Sequence, residues 1–414
     1  GLNVFRARWV LPVAGPPVRD GWVSVEDGRV AAVGEGRAPG AEIDLGEVAL
    51  IPGLVNAHTH IELSWMAGLV PPAVSMDGWI RKLLEVRRAG PVAGEPEVAA
   101  AMVRALRQVR ETGTVLLGDI SNTLASVPVL QASACDAAVF HEILGFNAAD
   151  PLAMVRDAWK KRPLRSSSRA AEETTSEVVF AVVAHAPYST SPALFAEIAA
   201  HHQGPAPLSV HLAESVEEIE FLRTGRGPIR EMLNALGVWD GSWEIPRCGP
   251  VEYLRRIGYL KAGALLVHCV HLTVAELDEV RDAGAVVVTC PRSNVWVGGG
   301  LPPVSRFYGA GVPVAVGTDS LASTGTLNMF DELAALRRLA PEVDAARLLD
   351  SATRVGAEAL GFGQHYGTIS KGRWARFASV ALPPGIGSGG ADVEEYLVSG
   401  VPAAAIGRVD APAA

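Results

Sequence analysis

The sequence predicts an α/β protein: a (β/α)₈ TIM-type barrel with a small β-sandwich domain formed from both termini. Three observations support this prediction. Short strand-like segments separated by turns fill the first fifty residues, apolar strands then alternate with helical segments, and strand-like Gly/Pro-rich sequence returns near Gly367. We place the composite β domain at residues 1–52 and 366–414 and the barrel at residues 53–365. An open doubly wound sheet is the alternative architecture.

The composition indicates a folded globular protein. Of the 414 residues, 49% are hydrophobic and 20% are charged, which is enough apolar material for a large core. The net charge of −9 comes without a basic cluster, so we expect no nucleic-acid partner. Apolar runs such as residues 285–288 are far shorter than the roughly 20 residues that cross a bilayer. Residues 1–10 lack the apolar segment of a signal peptide, so we expect neither membrane association nor export.

Cysteine spacing bears on the cellular compartment. The chain has four cysteines, and none of them stands in a C-x-x-C pair. This pattern argues against a disulfide scaffold and against a cysteine-built zinc site. We therefore expect a cytoplasmic protein, with a homo-oligomer as a possible assembly.

The elements are predicted in chain order. A strand begins at Val4 and others cover residues 21–25 and 29–33, with a hairpin at Asp27-Gly28, because D-G between apolar runs is typical of tight turns. Eight apolar runs of strand length are the barrel strands: residues 54–60, 114–121, 136–144, 178–187, 208–214, 264–270, 285–291 and 312–320. Helices with recognisable start signals alternate with them: residues 97–111, 191–202, 216–236, 273–283 and 326–339. Further strands are predicted at 375–382 and 395–398, and a polar loop at 160–177.

A pair of histidines ends the first predicted barrel strand. His58 and His60 are two positions apart, so on a strand their imidazoles point to the same face and can bind one metal ion. The H-x-H pattern is weak evidence alone, and a pair of hydrogen-bonded structural histidines is the alternative.

Three further residues fall near the carboxyl ends of predicted strands. His211 is on strand five, His268 on strand six and Asp319 on strand eight. The carboxyl ends of barrel strands meet at one rim, so we expect these side chains to converge with the histidine pair. Imidazole nitrogens and a carboxylate suit Zn²⁺ and leave a position for water, whose pKa then falls to about 7. The sequence therefore predicts a hydrolytic metal site.

Other residues of this rim are candidates for proton transfer or substrate contact. Glu214 follows His211 by three positions and is placed to act as a general acid/base, or else is a first-turn helix carboxylate. Glu62 continues the alternation of the histidine pair and could accept from a substrate hydroxyl, or else is an exposed loop carboxylate. Arg292 meets a substrate anion or an acidic neighbour. Trp79 roofs the pocket or belongs to the core.

One metal ion is favoured over two. Barrels that hold two metals need a bridging group at strand four, typically a carboxylated lysine. None of the five lysines falls at a strand end, and His185 ends strand four instead.

In combination, these motifs resemble the amidohydrolase superfamily over nearly the whole chain. The stretches that carry the resemblance are PGLVNAHTH at 52–60, HLAE at 211–214, HC at 268–269, PRSN at 291–294 and GTDS at 317–320. The branch that the chain resembles contains the triazine hydrolases and the adenosine-type, S-adenosylhomocysteine and aminofutalosine deaminases.

The resemblance implies a set of metal ligands and a role for each of the other site residues in the reaction. The implied ligands of one zinc ion per chain, or occasionally of iron, are His58, His60, His211 and Asp319. Glu214 is implied to deliver the proton of water to a ring nitrogen of the substrate, and His268 to assist at the nucleophile. Asp319 is implied to take the remaining proton, and His185 to touch the substrate.

The implied reaction is hydrolytic release of ammonia from an amino-substituted purine-like heterocycle or nucleoside. Methylthioadenosine/S-adenosylhomocysteine deaminases are expected to carry a ribose-binding Glu in a Leu-Pro-x-Glu context after the helix tryptophan, and residues 80–85 after Trp79 depart from it. Residues 60–64, HIELS, are closer to aminofutalosine deaminases, which would make Glu62 a substrate contact. The alternatives are an S-adenosylhomocysteine/methylthioadenosine deaminase, a chlorohydrolase or amidase of the same superfamily, and a non-catalytic metal-binding barrel.

Overall fold

The computed structural model describes residues 1–133, 135–164, 176–386 and 388–410. The strands in this part of the chain are β1 (Leu2–Val10), β2 (Val18–Glu26), β3 (Arg29–Gly34), β4 (Glu42–Asp44), β5 (Val48–Pro52), β6 (Leu54–Thr59), β7 (Thr114–Ser121), β8 (Asp136–Ile143), β9 (Val178–Ala184), β10 (Ser209–Leu212), β11 (Leu265–His268), β12 (Val286–Thr289), β13 (Val314–Val316), β14 (Arg376–Ala381) and β15 (Ile406–Asp410).

The helices in the same part of the chain lie mainly between these strands. They are α1 (Met76–Ala89), α2 (Pro96–Glu111), α3 (Ser126–Gln131), α4 (Pro151–Lys160), α5 (Pro192–Ala200), α6 (Val216–Thr224), α7 (Pro228–Ala235), α8 (Pro250–Arg256), α9 (Val274–Asp282), α10 (Pro291–Trp296), α11 (Val304–Gly309), α12 (Met329–Leu339), α13 (Ala345–Asp350), α14 (Gly356–Ala359) and α15 (Gly390–Val398). Ile61–Met66 and Ala403–Ala405 form 3₁₀ turns, and Ser351–Val355 forms a π-helical turn.

Strands from both ends of the chain form one mixed sheet. Its order is β15-β14-β5-β1-β2-β3, with β4 also paired to β1. The predicted hairpin joins β2 to β3, with Glu26 opposite Arg29, and the positive φ angles of Asp27 (50°) and Gly28 (72°) suit a two-residue turn. The structure thus shows a single sheet built from both termini where we predicted a sandwich.

All eight predicted central strands are present, and they form two parallel four-stranded sheets. The orders are β6-β7-β8-β9 and β10-β11-β12-β13. At one junction between the sheets, the Tyr259 hydroxyl accepts from Ala184 N at 3.0 Å and donates to Ser209 O at 2.8 Å. At the other junction, Asp319 N donates to His58 O at 2.9 Å. The second contact brings the carboxyl ends of β6 and β13 together.

Burial explains the sequence pattern of the central strands. All residues of β6, β7, β10, β11, β12 and β13 are buried. Strands that are covered on both faces read as continuous apolar runs without alternation, as parallel strands generally do. One face packs against helices such as α2, which buries Val98, Met102 and Val109.

Two predicted elements differ in the structure. The predicted helix at 216–236 is two helices, α6 and α7, because Gly225 and Gly227 adopt positive φ angles of 67° and 94° and Pro228 then begins α7. The predicted strand at 395–398 was wrong. It is the last turn of α15, which buries Val393, Leu397 and Val398 and packs against α12 and α13.

The predicted loop at 160–177 falls partly outside the described residues. Lys160 is the last residue of α4, and residues 165–175 are not among those described. None of the helices in the described ranges has the length and apolar character needed to span a bilayer.

Candidate metal centre and active site

The histidine pair is fixed by the strand and by the residues around it. His58 is the fifth residue of β6, and His60 follows the end of that strand. The Asp119 carboxylate, on β7, accepts from Thr59 Oγ1 at 3.0 Å and from Ile61 N at 2.9 Å, so it holds the backbone on both sides of His60. This clamp restricts the direction of the second imidazole.

Several strand ends turn sharply at the site. Four residues other than glycine have positive φ angles there: Ala213 (51°), His268 (82°), Cys269 (52°) and Asp319 (63°). Such backbone conformations cost of the order of 1–3 kcal/mol each and persist only where the surrounding structure imposes them. They occur on three different strand ends that face one point.

The predicted ligand atoms converge at that point. The Nε2 atoms of His58 and His60 are 3.3 Å apart, and those of His60 and His211 are 3.4 Å apart. Asp319 Oδ1 lies 3.6 Å from His58 Nε2 and 3.4 Å from His60 Nε2. The four side chains come from three strand ends that are separated by more than a hundred residues in sequence, and each has a ligand atom within 3.6 Å of a ligand atom of another.

These spacings fit a tetrahedral metal ion. With metal–nitrogen and metal–oxygen distances of about 2.0–2.1 Å, neighbouring tetrahedral ligand atoms are about 3.3–3.4 Å apart. The acceptor lone pairs of several imidazoles and a carboxylate would repel one another at this range unless a cation lies between them. The donor set of nitrogens and one oxygen suits Zn²⁺ and also Fe²⁺.

Burial sets the protonation state of the histidines. It lowers the pKa of His58, His60 and His268, well below the usual value for His58 and His268. Burial opposes ionisation of Asp319, but the nearby His60 and His268 rings and the Ser293 hydroxyl hold its pKa below the usual value. Neutral imidazoles and an ionised carboxylate are the forms that bind a metal ion.

Glu214 and His268 lie beside the predicted ligands. Glu214 Oε1 lies 3.3 Å from His268 Nε2, and the same nitrogen lies 3.8 Å from Asp319 Oδ2. Burial, with Asp319 and Glu218 nearby, raises the pKa of Glu214 well above its usual value. A raised pKa favours the protonated carboxyl group, which can donate its proton to a bound molecule.

The comparison with known families places this site in context. A model of the amidohydrolase family matches residues 49–406, which is most of the chain. The chain belongs to the amidohydrolase family. The site lies inside the matched region, and its motifs are those that carried the resemblance.

Individual relatives of this amidohydrolase are deaminases by name. A 5-methylthioadenosine/S-adenosylhomocysteine deaminase of Nitratidesulfovibrio vulgaris strain Hildenborough is 31% identical over 368 residues, covering 83% of this chain and 75% of that protein. The crystal structure of an adenosine deaminase from Xanthomonas campestris with bound zinc has a TM-score of 0.74 and 25% identity, covering 97% of this chain and 90% of that one. Helicobacter pylori aminofutalosine deaminase, in complex with methylthio-coformycin, has a TM-score of 0.80 and 22% identity over 97% of both chains. The latter likeness shows a shared fold.

Arg292 does not face the metal centre of this amidohydrolase. Its Nε donates to Glu332 Oε1 at 2.6 Å, and its Nη1 and Nη2 donate to Thr326 Oγ1 and O at 2.9 and 2.8 Å. The expectation of a substrate contact is therefore corrected in favour of the alternative, an acidic neighbour. The two residues that follow it point into the site instead. Ser293 Oγ donates to Asp319 Oδ2 at 2.7 Å, and Asn294 Nδ2 lies 2.9 Å from His268 Nδ1.

Glu62 anchors a loop. It is 5% exposed, which excludes the exposed loop carboxylate that we weighed as the alternative. Its oxygens accept from Ser121 Oγ at 2.9 Å, Asn122 N at 2.7 Å and Thr123 Oγ1 at 2.6 Å. These bonds hold Glu62 against the loop after β7, and its contact with a substrate hydroxyl stays a prediction.

His185 lies next to the centre, and Trp79 belongs to an apolar cluster. The His185 ring centroid is 4.9 Å from that of His211, and its Nδ1 is 2.6 Å from Ser189 Oγ. Burial lowers the pKa of His185 to about 4. Trp79 packs in an apolar cluster that includes Leu63 and Ala322, and its buried Nε1 has no hydrogen-bond partner among the described residues. Both placements leave a group that could contact a substrate.

Sequence reasoning missed residues that support the site. They are Asp119, Glu142, Glu218 and Asn294, all of which are buried. Asn294 stands in the PRSN motif, and Glu142 ends a strand in the same way as the predicted residues do, so its position at a strand end was a usable signal. The role of Asp119 depends on a contact with a segment about 60 residues away, which no local pattern shows.

Proposed function

We propose that this amidohydrolase is a metal-dependent hydrolytic deaminase that releases ammonia from an amino-substituted purine-like heterocycle or nucleoside. The observation that carries the proposal is the convergence of four predicted ligands, whose neighbouring atoms lie 3.3–3.6 Å apart, beside the Glu214–His268 pair. The names of the relatives support the substrate class, because they are deaminases of adenosine, methylthioadenosine, S-adenosylhomocysteine and aminofutalosine.

The ligand set would hold one ion per chain through His58, His60, His211 and Asp319. When bound, a zinc or iron ion acts as a Lewis acid that makes water a nucleophile at neutral pH. The chain's own residues then move protons. Glu214 gives its proton to a ring nitrogen of the substrate and collects the next proton from the attacking water, and Asp319 passes the remaining proton to the departing amine.

His268 stabilises the nucleophile from the side of strand β11. In the assigned amide orientation, Asn294 Nδ2 donates to His268 Nδ1, so the proton of the neutral ring resides on Nε2. That Nε2 is buried and has no hydrogen-bond partner among the described residues. Its N–H lies on the side of Glu214 and Asp319, where it would donate to an oxygen atom at the reacting carbon.

We assign the substrate side of the site to His185 and Trp79. His185 lies beside the ligand set, and the buried indole N–H of Trp79 has no hydrogen-bond partner among the described residues. We also infer that the two parallel sheets close into a (β/α)₈ barrel of residues 53–365, with residues 1–52 and 366–414 as the small β domain. The junction contacts of Tyr259 and Asp319 support this closure. A cytoplasmic location and a homo-oligomer stay predictions.

The test combines metal analysis with an ammonia screen on one preparation. The substrates are adenosine, 5′-methylthioadenosine, S-adenosylhomocysteine, aminofutalosine, a pterin and a chlorinated triazine. We expect about one metal ion per chain and ammonia from at least one purine nucleoside. Chloride release from the triazine alone would identify a chlorohydrolase. Full activity in a metal-stripped sample would contradict the proposal.

A further inference from the structure

A buried carboxylate that the proposed mechanism does not use lies behind one of the metal ligands. Glu142, the penultimate residue of β8, is 4% exposed. Its Oε1 accepts from Asn122 Nδ2 at 3.0 Å. Its Oε2 is buried without a hydrogen-bond partner and lies 3.4 Å from His211 Nδ1. The unpartnered oxygen is thus directed at the side of the His211 ring that faces away from the ligand set.

The other contacts of the His211 ring define its tautomer. His211 Nδ1 lies 2.9 Å from the carbonyl oxygen of His185. A carbonyl oxygen can only accept, so Nδ1 must carry the proton of the neutral ring. The lone pair is then on Nε2, the nitrogen that lies 3.4 Å from His60 Nε2 in the ligand set. The ring is therefore held in the form that binds a metal ion.

The unpartnered oxygen of Glu142 has a physical explanation in this geometry. A buried carboxylate oxygen without a partner is costly unless positive charge lies close to it. When His211 donates its Nε2 lone pair to a cation, positive charge develops on the ring, and the Nδ1–H becomes a stronger donor. This charge stabilises the buried Glu142 carboxylate, whose Oε2 lies 3.4 Å from His211 Nδ1. The carboxylate in turn makes the imidazole a better ligand.

We propose that Glu142 is a positioning residue for the metal centre, which strengthens metal binding by His211 from behind its imidazole ring. The proposal rests on the metal site of the proposed function but not on the identity of the substrate. Asn122 completes the arrangement, because its side-chain amide donates to both Glu142 O at 3.1 Å and Glu142 Oε1 at 3.0 Å and so fixes the direction of the carboxylate.

The test measures zinc affinity directly. Glu142→Gln protein is stripped of metal, and its zinc affinity is determined by competition with a chromogenic chelator. We expect the affinity to fall about 10–100-fold relative to the wild type. Asn122→Ala, at a partly exposed position, should weaken the affinity in the same direction by a smaller factor, and it decides the question if Glu142→Gln does not fold.

Asp136→Asn is the matched control. Asp136 is also a buried carboxylate of β8, but it lies at the other end of the strand and accepts from Glu177 N and Tyr366 Oη. This variant is expected to lower the melting temperature while leaving the zinc affinity unchanged. It separates a loss of stability from a loss of ligand support.

Two results would overturn the inference. One is wild-type zinc affinity in both Glu142→Gln and Asn122→Ala. The other is an unchanged zinc affinity with a raised KM, which would make Glu142 a substrate contact. Absence of ammonia release by the wild type would contradict the proposed function and leave the zinc affinities to decide the role of Glu142.

Discussion

Asp319 and His58 approach each other at two points across the junction of the two parallel sheets. The amide of Asp319 donates to the carbonyl oxygen of His58 at 2.9 Å, and Asp319 Oδ1 lies 3.6 Å from His58 Nε2. The backbone bond therefore sets the distance between two side chains that we propose as ligands. Any change that separates β6 from β13 should weaken metal binding and stability together.

Gly317 is the position where this junction can be tested. A Cβ atom there would lie 2.7 Å from both His58 Cβ and His58 N. We expect Gly317→Ala to lower the free energy of unfolding by about 1–3 kcal/mol, because of overpacking, and also to weaken zinc binding. Gly309→Ala is the control, since a Cβ at Gly309 meets nothing within 4 Å. Thermal denaturation and chelator competition measure the two effects, and wild-type values for Gly317→Ala would refute the expectation.

Glu214→Gln should separate chemistry from metal binding. The change removes the proton that Glu214 donates but keeps the shape of the side chain, so we expect kcat to fall about 10²–10⁴-fold. The metal content should stay at the wild-type level. Steady-state ammonia release and metal analysis are the measurements, and Glu97→Gln, an exposed carboxylate on α2, is the control. A kcat within twofold of the wild type would rule out Glu214 as the proton donor.

Glu218 is expected to position Glu214. Its carboxylate is buried and accepts a hydrogen bond from the amide of Ala213, the residue with positive φ that precedes Glu214. Removal of this acceptor in Glu218→Ala should lower kcat about 10–100-fold with little change in KM, because the acid/base is displaced while substrate contacts stay. Glu218→Gln keeps an acceptor oxygen and should recover most of the loss. Equal kinetics in the two variants would show that the hydrogen bond does not matter.

The raised pKa of Glu332 predicts that the stability of the protein depends on pH. Burial raises its pKa to about 7, although Arg292 is bound to it. Between pH 4.5 and 7 the folded state holds a proton that the unfolded state has lost, so this contribution to stability is present at low pH and is lost as the pH rises through 7. In Glu332→Gln the melting temperature should fall less steeply over this range than in the wild type. Parallel curves for the two proteins would contradict the prediction.

The patterns of single segments predicted much of the architecture. Each of the eight central strands is a short run rich in apolar residues, because burial on both faces favours apolar side chains at successive positions, and this makes such strands visible in the sequence. The prediction of a strand at 395–398 was wrong because a segment of four residues is too short to show helical periodicity. The last turn of α15 shows four residues of a helix, and helical periodicity needs the preceding turn with Val393 to become apparent.

The direction of neighbouring side chains was not readable from the sequence. Arg292, Ser293 and Asn294 follow Pro291 in the first turn of α10, where consecutive residues point about 100° apart. Arg292 binds Glu332. Its two neighbours, Ser293 and Asn294, contact Asp319 and His268 respectively. The sequence therefore indicated that this segment lies near the site, but it did not show that Ser293 and Asn294, and not Arg292, contact the site.

The sequence by itself determined the central strands and the residue types that stand near their carboxyl ends, because hydrophobic pattern and strand alternation are local properties. The tertiary structure alone decided which of these residues are supported from behind, as Glu142 is placed behind His211 and Asp119 around His60. Such contacts join segments about 60–70 residues apart, and their distances depend on how the sheets pack. No local pattern records that packing.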